Sequence, residues 1–301
     1  MQAPEPLQGL VTASHGRHYS VECSDGQVRH CCPRGKRSEA AVGDHVTVQA
    51  LSPEEGRITQ ILPRRNLLYR SDASRSKQFA ANIDLLLVVT ATEPQFSNEL
   101  LGRALVAAHN EKIPTYILLN KVDLTALVAP ALAQLEWVQA LGVDVIQLSA
   151  LDQTQTLAQL NPLLYNKTTL LLGQSAMGKS ALLNALVPDA QALTKSHSLA
   201  LGAGRHTTTN TRLYHLPHQP GCLIDSPGFQ SFGLHHLDRT DLLHSFPEIE
   251  HAAHQCRFAN CRHAKEPGCA VLQQVTTGEI TAERYQLYTR LVAEYEARMQ
   301  Y

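Results

Sequence analysis

The octapeptide Gly173-Gln174-Ser175-Ala176-Met177-Gly178-Lys179-Ser180 limits what this chain can fold into more than any other segment. It fits GxxxxGK(S/T), a loop that works only between a strand and the start of a helix. The strand delivers the backbone to an anion, and the helix N-terminus turns its free N–H groups toward it. Both neighbours can be read off: 168–172 is a short apolar run and 179–186 has a helical pattern. In such a loop the backbone from Gly173 through Ala181 cradles phosphates, Lys179 reaches the β- and γ-phosphates, and the Ser180 hydroxyl can hold Mg²⁺. The chain is therefore expected to bind a nucleoside triphosphate.

The rest of the sequence divides around this loop. Residues 83–90, 116–119, 143–148, 168–172, 212–216 and 222–224 read as strands alternating with helices, the pattern of an α/β domain with a mainly parallel sheet. Ser97 is positioned to cap a helix running to about residue 110, while Pro130 interrupts the helical stretch 124–141. Ahead of this domain, 9–12, 18–23, 28–32, 45–51 and 56–62 are short alternating stretches separated by turn signals. They predict a small β-barrel, with the OB-fold as one candidate. The expected division is a barrel over 1–65, a basic linker over 66–80, a nucleotide-binding domain over 81–233 and a helical domain over 234–301. Around the linker, Arg64, Arg65, Arg70, Arg75 and Lys77 stand against Asp72 alone, a run that fits solvation or RNA phosphate equally well. At the C-terminal end, Tyr285, Tyr288, Val292 and Tyr295 recur at helical spacing, most simply as a packing face.

Composition narrows the partners. Of 301 residues, 44% are hydrophobic and 18% charged, which is globular and leaves length for more than one core. Lys and Arg number 26 against 27 Asp and Glu, so any nucleic-acid contact must come from a local patch. The start MQAPEPLQGL has neither a basic cluster nor a long apolar run, and no apolar stretch approaches bilayer length. Seven cysteines do not make a disulfide framework in a chain of this length. A cytoplasmic protein with no membrane partner is expected, with a monomer as the simplest state. Cys23, Cys31, Cys32 and Cys222 read as packing thiols.

Further motifs refine the chemistry. Asn120-Lys121-Val122-Asp123 follows a predicted strand. The Asp123 carboxylate can accept from both N1–H and the exocyclic amine of guanine, whereas adenine leaves it unpaired. Asn120 can hold the loop, the Lys121 stem can cover the ring, and Ser149-Ala150 can bring a backbone N–H to guanine O6. Asp225-Ser226-Pro227-Gly228 follows another strand; Asp225 can reach Mg²⁺ through water and the Gly228 N–H can sense a γ-phosphate. Between them, Arg205-His206-Thr207-Thr208-Thr209 offers a threonine hydroxyl to Mg²⁺, with Thr208 favoured among three neighbours. Finally, Cys256, Cys261, His263 and Cys269 have the spacing and donor set of one tetrahedral Zn²⁺ site. Four protein ligands leave no open position, so that metal is expected to be structural. Arg257, Arg262 and Lys265 decorate the same loop, as solvated charges or RNA contacts.

The base-reading loops precede the phosphate loop, the reverse of the common order, so the nucleotide domain is circularly permuted. With the barrel, NKVD, SA, GQSAMGKS, RHTTT, DSPG and the Cys/His cluster, the chain resembles the RsgA family of ribosome small-subunit-dependent GTPases over nearly all its length. The resemblance implies GTP and GDP as ligands and the small ribosomal subunit with its rRNA as partner. It also implies a late maturation role in which the subunit stimulates hydrolysis and release follows. Ala176-Met177 departs from the Gly-Val usual in the family, which asks more of the backbone at Ala176. Phe229 occupies the place where many GTPases carry a water-orienting Gln, so unaided hydrolysis should be slow. The resemblance gives that role to His206, beside Lys179 and Thr208; a non-functional exposed histidine is the alternative. Two other readings stay open: a regulatory GTPase acting on a protein partner, and a zinc-dependent RNA-binding module with a degenerate nucleotide site. The intact Lys179, Ser180, Asp123 and Asp225 oppose the last.

Overall fold

The computed structural model describes residues 5–33, 35, 39–72, 75–188, 190, 211–226 and 233–299. Five strands open the chain: β1 (Leu7–His15), β2 (His18–Cys23), β3 (Val28–Pro33), β4 (His45–Ala50) and β5 (Glu55–Ile61). They pair in the order β1-β2-β3-β5-β4, and β4 returns to β1. The β3–β5 pair is parallel and the others antiparallel, the Greek-key closure of an OB-type barrel. Alternation fills it: Val11, Tyr19, Val21, Cys23, Cys31, Val46, Val48 and Ile58 form its core. Cys23 and Cys31 are packing thiols as expected, but Cys32 is exposed, with Sγ 3.3 Å from His18 Nδ1.

The expected linker folds. Its residues form an antiparallel hairpin of β6 (Leu67–Asp72) and β7 (Arg75–Ala81). The two preceding arginines each hold a carboxylate, Arg64 largely buried and Arg65 largely exposed. Arg64 binds the fully buried Asp44 carboxylate through Nε and Nη2, each at 2.7 Å, and Asp44 also accepts from Ala41 N at 2.7 Å. Arg65 pairs with Asp84 and donates to the Asn82 carbonyl at 2.8 Å. Of the five cations read as a basic connector, Arg64 thus braces the barrel and Arg65 joins it to the start of the α/β domain.

The α/β region contains β8 (Leu85–Ala91), β9 (Thr115–Asn120), β10 (Val145–Gln147), β11 (Thr168–Gly173), β12 (Arg212–His215) and β13 (Cys222–Asp225). Their order is β10-β9-β8-β11-β13-β12, all parallel except β12. One further pairing, Ala13 with Arg212, joins β12 to β1 and makes the barrel and this domain one 11-stranded sheet. Every residue of β8 is buried, as a strand covered on both faces requires. Helices α1 (Asn98–Asn110), α2 (Thr125–Ala140), α3 (Gln153–Leu164) and α4 (Lys179–Leu186) accompany the strands. Ser97 caps α1 by accepting from Leu100 N at 3.3 Å, as anticipated. Pro130, expected to interrupt its helix, lies inside α2, whose outer side is exposed. Cys222, expected as a core thiol, is only half-buried.

The C-terminal part consists of α5 (Arg239–His244), α6 (Pro247–Ala253), α7 (Ala270–Thr277) and α8 (Ala282–Arg298). The tyrosine pattern in α8 is a packing face: Tyr288 is buried edge-on against Phe246, with ring centroids 5.4 Å apart. The same helix docks on α1 through Leu287, so close to Gly102 that a Cβ there would lie 2.4 Å from Leu287 Cδ2. Arg103–Glu294 and Arg290–Glu99 ion pairs flank this contact.

Removing a partner from a buried ion pair strands the remaining charge. Asp44→Ala is therefore expected to destabilise the protein by about 3 kcal/mol, read as a lowered midpoint in chemical denaturation.

Candidate nucleotide site and metal centre

Because β8, β9, β10, β11 and β13 run parallel, their carboxyl ends lie along one edge of the sheet. The loops holding Asn120–Asp123, Ser149-Ala150, Gly173–Ser180 and Asp225 all open there. The phosphate loop leaves β11 at Gly173 and enters α4 behind Gly178, which has φ 87°. No side chain fits at Gly178: a Cβ would lie 2.1 Å from Asn120 Nδ2. Ala176 also has a positive φ, 66°, so the departure seen in the sequence places a methyl in the left-handed region. That conformation costs about 1 kcal/mol relative to glycine.

Asn120 ties the site together. It is 2% exposed, donates from Nδ2 to the Met177 carbonyl at 2.9 Å, and accepts at Oδ1 from Ala150 N at 2.9 Å. One amide thus clamps the phosphate loop to both base-reading loops. It also holds the N–H expected to meet guanine O6, so a bound base must share that donor with Asn120. Ser149 Oγ donates to Asp123 Oδ1 at 2.6 Å, and Thr156 Oγ1 donates to the Ser149 carbonyl at 3.1 Å. Lys121 has φ 63°; its Nζ donates to the Glu93 carbonyl at 2.9 Å and its own carbonyl accepts from Thr92 Oγ1 at 3.0 Å. Gln174 reaches away from the loop and accepts at Oε1 from Ser97 N at 2.7 Å, bracing it against the start of α1. Thr92, Thr156 and the Gln174 brace were not singled out in the sequence, since each depends on a partner distant along the chain.

At the phosphate end, Lys179 Nζ lies 3.3 Å from Asp225 Oδ1. Burial raises the Asp225 pKa above the usual carboxylate range, and the Lys179 charge opposes the rise. Ser180 is exposed at the head of α4, Ala181 half-buried behind it, and Met177 buried. Ser175 is exposed on the same loop. His206, Thr207, Thr208, Thr209, Gly228 and Phe229 lie outside the described residues.

The ligand atoms of Cys256, Cys261, His263 and Cys269 all lie within 4.8 Å of one another. His263 Nδ1 is 3.5 Å from Cys256 Sγ and 3.6 Å from Cys269 Sγ, and the two sulfurs are 3.9 Å apart. A tetrahedron built from usual Zn–S and Zn–N bond lengths has S···N edges of about 3.5 Å and S···S edges of about 3.8 Å. The donor set therefore fits zinc in both chemistry and spacing. Desolvation pushes the Cys261 thiol up to about 12, with the Cys269 and Cys256 sulfurs adding to the rise, so this sulfur keeps its proton unless a cation stabilises its thiolate. Glu266 organises the loop. Its carboxylate accepts from the backbone N–H groups of Ala264, Lys265 and Arg262 at 2.9 to 3.0 Å, which holds its pKa near 2. Tyr285 OH donates to the His263 carbonyl at 2.6 Å and so links α8 to this loop.

Losing both buried Asn120 hydrogen bonds should weaken guanine-nucleotide binding about 30-fold in Asn120→Ala, measured by calorimetry. Elemental analysis of purified protein should find about one zinc per chain, and Cys269→Ser should lose it with a fall in thermal midpoint.

Comparison with known proteins agrees with this arrangement. The profile of the RsgA GTPase family matches residues 61–235. A small ribosomal subunit biogenesis GTPase RsgA from Bordetella pertussis is 53% identical over 294 residues, which is 98% of each chain. The protein of that name from Paraburkholderia phymatum is 52% identical over 97% of this chain and 93% of its own. Among solved structures, YjeQ from Thermotoga maritima superposes with a TM-score of 0.70 at 28% identity, over 97% of this chain and 99% of that one. YloQ, described as a circularly permuted GTPase, gives 0.67 at 29% identity, over 99% of this chain and 97% of its own. Permuted loop order, full-length likeness and a fold shared over nearly the whole chain lead to one assignment: this chain is an enzyme that hydrolyses GTP and belongs to the RsgA GTPase family.

Proposed function

We propose that this GTPase acts in late maturation of the small ribosomal subunit, and that the subunit stimulates hydrolysis and is left when GDP has formed. What carries the proposal is the likeness over 98% of both chains to a protein named for small-subunit biogenesis. The geometry supports a timer. Asp123 selects guanine with Ser149 orienting its carboxylate, and Asn120 makes occupation of the base loops felt at the phosphate loop. A triphosphate arriving there draws Lys179 from Asp225, because the phosphates offer it a larger negative charge. Mg²⁺, when bound, neutralises charge developing between the β- and γ-phosphates. Ser180, one threonine of 207–209 (Thr208 the first choice) and Asp225 through water are the residues to hold it. The Gly228 N–H meets the γ-phosphate, and His206 orients the attacking water where Phe229 has no polar atom to do so.

The zinc loop serves as the docking element. Arg257, Arg262 and Lys265 are exposed on it, with the Arg257 guanidinium 5.4 Å from the Phe258 ring centroid. Such cations beside an exposed ring suit rRNA phosphates and bases. No helix among the described residues is long and apolar enough to cross a membrane. A monomer working in the cytoplasm fits this role.

The deciding experiment measures GTP turnover with and without purified small subunits, alongside co-sedimentation in GDP and in a non-hydrolysable GTP analogue. Stimulated turnover and binding that depends on the analogue are expected. Turnover indifferent to subunits would instead favour a regulatory GTPase with a protein partner. Asp123→Asn should shift base preference from guanine toward xanthine, since an amide mismatches guanine's two donors but suits xanthine's O2.

A further inference from the structure

Away from the nucleotide edge, three chemically matched side chains line up across the seam between the barrel and the GTPase sheet. His215 ends β12 and stands directly opposite Cys222, the first residue of β13. Cys222 Sγ lies 3.5 Å from His215 Nδ1, and His215 Nε2 lies 2.7 Å from Glu22 Oε2 on barrel strand β2. The imidazole thus sits between sulfur and carboxylate with both nitrogens engaged. The three groups do not converge on a point, which separates them from the zinc cluster. Their order is that of an activated nucleophile: thiol, base, and a third group that orients the base. The site is open, since His215 is 57% exposed, Glu22 42% exposed and Cys222 half-buried.

We propose that Cys222 is a nucleophilic thiol, activated by His215 and Glu22, that undergoes exchange with low-molecular-weight disulfides. Glu22 accepts from Nε2–H, which holds the ring with Nδ1 toward the sulfur and favours its protonated form. Hydrogen bonding to Cys222 and to Glu22 raises the His215 pKa to about 9, against the effect of burial. An imidazolium donating to a cysteine sulfur stabilises the thiolate, the attacking species in exchange. The Cys222 thiolate attacks one sulfur of the disulfide and forms a new S–S bond as the old one breaks. The departing thiolate takes the proton from His215 and leaves as a free thiol. One protein sulfur is oxidised and one small thiol is released in reduced form.

The molecule carries its own comparison. Cys32 Sγ lies 3.3 Å from His18 Nδ1, but among the described residues no carboxylate bonds the other nitrogen of His18. Cys32 is also the more exposed of the two thiols. Accessibility alone predicts that Cys32 reacts faster; activation by the third group predicts Cys222.

The test treats the full-length, zinc-loaded protein with oxidised glutathione at neutral pH and follows each cysteine-containing peptide by mass spectrometry. Cys222 should form its mixed disulfide roughly tenfold faster than Cys32, and Cys222→Ser should remove that fast adduct. His215→Ala should slow Cys222 by a similar factor, although the truncation uncovers the sulfur. Glu22→Gln, which keeps the side chain's shape, should slow it as well, and it carries the test if His215→Ala proves misfolded by circular dichroism. Modification of Cys222 no faster than Cys32, or a Cys222 rate unchanged in these variants, would overturn the proposal.

Discussion

One buried side-chain amide holds the nucleotide site in register. Asn120 donates to the phosphate loop at Met177 and accepts from the second base-reading loop at Ala150, both at 2.9 Å. These segments belong to three different strands, and nothing in their local sequences forces them to the same spacing. Their relative positions rest on a group that cannot leave either bond without stranding a buried polar atom. Gly178 is part of the same constraint, because the space where its Cβ would be is occupied by Asn120 Nδ2. Ala176 shows how much deviation the clamp allows: a methyl at φ 66° is tolerated where the surroundings over-determine the backbone.

Given that clamp, chain order becomes free. The loops need only lie at the carboxyl edge of a parallel sheet, and β9, β10, β11 and β13 bring them there whichever comes first. Permutation changes what the strand ending at Asp225 is tied to. β13 pairs with β12, β12 pairs with barrel strand β1 at Ala13 and Arg212, and the chain beyond Asp225 leads to the helices that carry the zinc loop. Asp225, buried beside Lys179, therefore ends the strand through which the phosphate loop's neighbourhood is linked to both flanking modules.

Those modules are attached by ordinary physical chemistry. On one side the Arg65–Asp84 pair and the β1–β12 contact hold the barrel. On the other, α8 packs on α1 through Leu287 while Tyr285 grips the metal loop at the His263 carbonyl. The Cys/His cluster, when it holds zinc, makes a short, polar segment rigid without a large core. Glu266 orders the same loop from within by taking three backbone donors. The exposed arginines thus stand on a fixed base.

What could be read from the sequence was local chemistry and its order. The phosphate loop, the Asn120–Asp123 motif, the Cys/His spacing, the alternating barrel strands and the α/β pattern each depend on residues within one short segment, whose geometry is set by period and spacing. The permutation was equally legible, since it is a statement about sequence order. What only the tertiary structure decided were contacts between residues far apart in the chain. Arg64 and Arg65 looked like a basic linker until Asp44 and Asp84 met them, and the segment beyond them proved to be a hairpin. Cys222 looked like a core thiol until strand register set it beside His215 and the barrel brought Glu22 from 193 residues away. Asn120 carried a motif, but its hold on two other loops emerges only once three strands align. Charge pairing and hydrogen bonding act through space over a few ångströms, and distance along the chain does not encode them.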